Sequence, residues 1–109
     1  MALNDMNELK NKMDNFNLST YQIKICSNMK KIRKELYLKY KNSNKNDKNP
    51  YSAQSVSELL NISYEYYKRL ESFDKTKPIS LKLLIKVLIL FDKPIADFFK
   101  QKTLTVTIS

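Results

Sequence analysis

The segment from Tyr51 to Glu71, YSAQSVSELLNISYEYYKRLE, constrains the chain most, because its pattern fits two short helices joined by a tight turn. Ser52 is placed to cap a helix over Ala53 to Leu60, and Ser63 to cap a second over Tyr64 to Glu71. Asn61 lies between them. The chain contains no Gly, and Asn is the best remaining residue for the left-handed conformation that ends a helix and turns the backbone. On the first helix Ala53, Val56 and Leu60 share a face, with small Ser57 beside them where a second helix can come close. On the second helix Tyr67 and Leu70 point the same way as Ile62 in the turn. That arrangement leaves Tyr64, Glu65, Lys68 and Arg69 facing outward.

Two helices buried on one side, with a polar and aromatic outer face on the second, are what a helix-turn-helix requires. The residues resemble the Cro and lambda-repressor type (XRE) family of helix-turn-helix regulators. Ser52 matches the Ser that opens the family's second helix, Ser57 its small close-packing residue, and Asn61 the position of its turn Gly. Ile62 and Ser63 match the hydrophobic-Ser pair, and Leu70 with Glu71 the hydrophobic-Glu pair closing the recognition helix. Upstream, KKIRKEL from Lys30 to Leu36 looks like the family's first helix, with Arg33 at its Arg. Downstream, PISLKLLIKVLILFDKPIADFF from Pro78 to Phe99 is similar to its last two helices. The chain departs from the pattern at two places. Ala53 stands where the family has a phosphate-gripping Gln, with Gln54 following, and Ser72 and Phe73 precede DKTKP where the family turns through Asn-Gly.

The resemblance implies a mainly α protein with a five-helix lambda-repressor-like core over residues 28–99, interrupted by a flexible insertion over residues 41–50. An N-terminal extension (1–27, a helix and a candidate strand) and a C-terminal strand (100–109), the candidate dimerisation element, flank that core. It also implies a dimeric repressor that reads an inverted repeat in double-stranded DNA through the helix of residues 63–71. Ser63, Tyr64, Glu65, Lys68 and Arg69 are then the base-reading residues, Arg69 as a bidentate guanine contact. Gln54, Lys75, Thr76 and Lys77 would touch phosphates, which position a protein without reading sequence. Arg33 and Glu71 would form an ion pair that orients the recognition helix, the competing role for Arg33 being a phosphate contact.

A formal net charge of +9 on 109 residues suits an anionic partner. Only two of the twenty basic residues are Arg, however, and Lys, Asn and Ile enrichment is also what A/T-rich codon usage produces. Charge alone therefore decides little. Cys26 is the single Cys, which excludes an intrachain disulfide, and with no His the usual zinc-ligand sets are missing. A soluble cytoplasmic protein without metal or cofactor is expected, since no long apolar run or signal-peptide pattern occurs.

Elsewhere, Leu3, Met6, Leu9, Met13 and Phe16 recur at intervals of three and four and predict an amphipathic helix. From Thr20 to Cys26 the period changes to two, suggesting a short strand, with a helix running on into Met29 as the alternative. Ser27 or Asn28 is placed to cap the next helix, striped by Met29, Ile32, Leu36 and Tyr40. KNSNKNDKNP, Lys41 to Pro50, is polar and of low complexity. After the Ser80 cap, Leu81, Leu84, Ile85 and Leu88 make one apolar face and Leu83, Val87 and Leu90 a second. A compact core covers only one of these, so the extension, the tail or a second subunit must cover the other. Asp92 and Pro94 are placed to start a last short helix. The tail TLTVTIS alternates like a strand, to pair with Tyr21 to Ile25, with its copy in a homodimer, or with both.

Enzyme chemistry has little support, for there is no His, no nucleophile with a base at useful spacing and no Gly-rich phosphate loop. Two non-enzymatic classes remain. One is the DNA-binding regulator; the other is a protein-binding module, antitoxin-like or an inhibitor, that uses the tyrosine-rich face.

Overall fold

The structure, a computed structural model, describes residues 5–43, 46–72 and 78–100. These residues are mainly α and contain no strand: α1 (Met6–Asp14), α2 (Leu18–Lys41), α3 (Ala53–Leu60), α4 (Tyr64–Glu71), α5 (Leu81–Phe91) and a 3₁₀ turn (Ile95–Phe98). No described helix is long and apolar enough to cross a membrane. The tail alternation at Leu104, Val106 and Ile108 falls outside the described residues.

The strand expected from Thr20 to Cys26 is helical instead, absorbed into the first third of α2. Ile25, Cys26, Met29, Ile32 and Arg33 are the buried residues of that helix, a spacing of one helical face that takes in the last two residues of the supposed strand. Ile23, which made the pattern look alternating, points away from the core and is 48% exposed. An isolated strand here would leave its backbone polar groups unpaired, whereas the helix pairs them internally. Asn17, not Ser27 or Asn28, caps the helix, its side chain accepting the Ser19 amide at 2.9 Å. α2 is 24 residues long, about 36 Å at the α-helical rise, and it packs against α4, α5 and the 3₁₀ turn.

Asn28, freed from capping, joins distant parts of the chain. Its amide nitrogen is within 3.0 Å of the Lys24 carbonyl, 2.9 Å of Phe98 and 3.0 Å of Lys100. The Gln22 side chain likewise accepts the Ile79 amide at 3.1 Å, tying the approach to α5 onto α2. Part of the insertion is also anchored. Asn49 donates to the Tyr37 carbonyl at 3.1 Å and accepts the Tyr51 amide at 2.9 Å.

α3 and α4 are capped by Ser52 and Ser63, whose hydroxyls accept the Ser55 amide at 3.1 Å and the Tyr66 amide at 3.0 Å. Asn61 takes the left-handed conformation between them, at φ 60° and ψ 45°. Ser57 is buried, which lets the helices approach closely. Asp92 is the second left-handed residue, at φ 53°, and closes α5 rather than opening the next element. Among the described residues, a 3₁₀ turn follows Pro94 in place of the expected last helix. The core joins Met29 and Ile32 of α2 to Val56, Leu60, Tyr67 and Leu70, and to Val87, Phe91 and Phe98.

Candidate nucleic-acid interface

α4 divides cleanly by face. Tyr67, Leu70 and Glu71 are buried, while Tyr64, Glu65, Lys68 and Arg69 are exposed along the opposite side, with the capping Ser63 exposed at the N-terminal end. The structure thus brings all five expected base-reading residues onto one accessible strip. Within it the Lys68 ammonium stands 5.5 Å from the centre of the Tyr64 ring, one helical turn away. That cation–π contact holds a positive charge and an aromatic edge together at the exposed end of the helix.

The helix is fixed from behind by Arg33 and Glu71. Arg33 donates from Nε to Glu71 Oε2 at 2.5 Å and from Nη2 to Oε1 at 3.0 Å, a two-pronged contact. A third donor, Nη1, reaches the Tyr51 carbonyl at 3.1 Å, so one guanidinium links α2, the start of α3 and the end of α4. Both side chains are nearly buried, at 11% and 6% exposure. Burial opposes the Arg33 charge, but the hydrogen bond and the negative charge of Glu71 outweigh it and hold the guanidinium above its ordinary pKa. All three of these Arg33 donors are thus engaged with Glu71 and Tyr51, and only a small part of the side chain reaches the surface.

Tyr67 lies against this pair. Its hydroxyl is buried and makes no hydrogen bond of good geometry among the described residues, although it stands beside the Arg33–Glu71 pair; burial first, then the charge of Glu71 and a looser side-chain contact with it, raises its pKa above that of an ordinary phenol. Cys26 is buried as well, its thiol pushed up to about 11 by desolvation and then by Glu71. A thiol so hard to ionise is a poor nucleophile or metal ligand.

The expected phosphate contacts fare unevenly. Gln54 is exposed near the start of α3, but its amide donates to Glu58 at 3.2 Å. This bond, and Lys48 at 3.2 Å, hold the Glu58 carboxyl below its ordinary range. Lys75, Thr76 and Lys77 lie outside the described residues. One residue was missed from sequence: Lys34 is exposed and lines a shallow groove with Arg33, Tyr37, Leu38, Ser52 and Ala53 at the N-terminal end of α3. Helix N-termini attract anions through their unpaired amides and dipole. The signal available was its position next to Arg33 in α2, which turns Lys34 outward when Arg33 faces in.

No protein-family model matches the chain, and neither a curated protein nor a solved structure is similar to it.

Proposed function

We propose that the protein is a sequence-specific double-stranded DNA-binding regulator of the XRE type, a dimeric cytoplasmic repressor without enzymatic activity, built on a lambda-repressor-like core. The observation that carries this reading is the exposed strip of α4, with Tyr64, Glu65, Lys68 and Arg69 side by side on a helix that Arg33 and Glu71 lock from behind. A short, rigidly held helix of this kind enters the major groove by its N-terminal end. Arg69 donates two hydrogen bonds to a guanine edge, and Glu65 accepts from a cytosine amino group. Lys34 and the α3 N-terminus serve the phosphates, taking the place that sequence gave to Gln54. A second copy presents the same helix to the next half-site, about 34 Å along the duplex.

The protein-binding alternative loses ground on one point. Of the three tyrosines in α4, Tyr67 is buried and Tyr66 is half-buried against the core, so the outer face offers one exposed tyrosine, Tyr64, and not an aromatic patch.

Selection of bound sequences from a random duplex pool, followed by mobility assays over a salt series, tests the reading. Affinity should fall steeply with salt. Arg69→Ala should lose discrimination at one base pair by about 1 to 3 kcal/mol, while Lys34→Ala weakens binding to every duplex alike. Absence of duplex binding at low salt would overturn it.

A further inference from the structure

α1 buries none of its residues, yet it carries a regular apolar stripe. Met6, Leu9 and Met13, spaced three and four apart, are 84%, 46% and 67% exposed, while Phe16, just beyond the helix, lies against the Tyr21 ring of α2. A helix of nine residues that buries none of them against the other described residues is marginal in water, since isolated helices need about 12 to 15 residues or tertiary packing. The stripe therefore calls for a cover. α5 has the matching lack. Leu81, Ile85 and Ile89, each one turn beyond the last, are 71%, 45% and 74% exposed, and a shallow groove beside them is lined by Ile85, Leu88, Ile89 and Pro94.

We propose that α1 of one copy lies along the α5 stripe of a second copy, and reciprocally, so that two chains exchange their N-terminal helices. Met6 to Met13 and Leu81 to Ile89 each run about two helical turns and cover each other at similar length. Charge selects this pairing over the alternatives. Within residues 5–14 the carboxylates Asp5, Glu8 and Asp14 outnumber Lys10 and Lys12, whereas within 81–93 Lys82, Lys86 and Lys93 outnumber Asp92. On a chain of net charge +9, docking α5 on α5 would bring like charges together, and docking α1 on α1 would leave both α5 stripes bare. Exchange matches the less basic helix to the more basic one twice over, and a two-fold axis closes the assembly. The inference shares the second copy with the function proposed above but does not depend on DNA binding.

Light scattering without DNA, over a concentration series, tests it. The full chain should be a dimer, and Leu9→Asp and Ile85→Asp should each weaken it at least about tenfold, equivalent to roughly 1.4 kcal/mol. Both positions are exposed in the single chain, so unchanged unfolding of the dilute monomers controls for misfolding. Mixing the two variants should recover part of the association, because the Ile85→Asp copy still offers an intact α1 to the intact α5 of the Leu9→Asp copy, leaving one of the two contacts undamaged. Indifference to Leu9→Asp would overturn the exchange in favour of α5 on α5, and indifference to Ile85→Asp in favour of α1 on α1. Failure of the mixture to associate overturns it too. A full chain that stays monomeric rules out the second copy, and loss of helicity on deleting residues 101–109 would then give the cover to that segment.

Discussion

α4 and α1 are short helices with the same local signals and opposite fates. Each begins with a side-chain cap, Ser63 accepting the Tyr66 amide and Asp5 accepting the Glu8 amide at 2.8 Å. Each has an apolar face at helical spacing. In α4 that face is buried against α2 and α3 and braced by an ion pair, whereas α1 buries no residue. Local chemistry therefore fixes where a helix starts and stops, and packing against the rest of the chain decides whether its face is covered.

The sharpest way to break this contrast is to remove the brace. Arg33→Ala leaves Glu71 buried without its partner, and Glu71→Ala does the same to Arg33. Either change should destabilise the fold by roughly 3 to 5 kcal/mol, the cost of an orphaned buried charge. Thermal or urea unfolding of each variant checks this. Replacing both residues with apolar ones of similar volume should recover much of the loss. An Arg33→Ala protein of ordinary stability would mean that the two-pronged contact is not what holds α4 in place.

A smaller effect is expected where the terminal segment meets α2. Asn28→Ala removes the donor shared by the carbonyls of Lys24, Phe98 and Lys100. The amide nitrogen has two hydrogens for these three carbonyls, so with net contributions of about 0.5 to 1.5 kcal/mol for each of two hydrogen bonds, the loss should be roughly 1 to 3 kcal/mol. Hydrogen exchange should show protection falling first around the 3₁₀ turn and not in α3 or α4. Uniform loss across the core would place Asn28 among general packing residues instead.

These two sites differ in how far they could be read from sequence. The caps, the Asn61 turn and the inward and outward faces of α3 and α4 depend on residues within a few positions of one another, and they were legible. Arg33 and Glu71 are 38 positions apart, and only resemblance to a known family linked them. Asn28 is 70 and 72 positions from the carbonyls it joins, so no local pattern could reveal its role. The strand expected over residues 20–26 failed for the opposite reason. A two-residue alternation over so short a stretch is also compatible with a helix, and the longer series through Ile25, Met29 and Ile32 decides the matter. Lys34 became visible only once Arg33 was seen to face inward.

The smallest predicted effect has the opposite sign and lies at the centre of the braced region. The Tyr67 ring is fully buried, but among the described residues its hydroxyl makes no hydrogen bond of good geometry, although the Arg33–Glu71 pair stands beside it. A buried hydroxyl left unpaired costs about 1 to 3 kcal/mol relative to water, while the ring itself fills the core. Tyr67→Phe keeps the ring and removes the orphan, so it should leave stability unchanged or raise it by up to about 1 kcal/mol. The hydroxyl also resists ionisation, its folded pKa lying above the ordinary 10.0. As pH rises past that ordinary value, the unfolded chain releases the proton and the folded one keeps it, which favours unfolding. Stability should therefore decline above about pH 10, and Tyr67→Phe should decline less. Cys26, ordinarily near 9.0, adds a decline of the same sign from a lower pH, so the comparison is best made in a Cys26→Ala background. Urea unfolding at pH 7 and at several alkaline values separates the two contributions. If Tyr67→Phe is instead destabilised by more than 1 kcal/mol at pH 7, the hydroxyl has a partner in solution, and the Arg33–Glu71 pair beside it is the place to look.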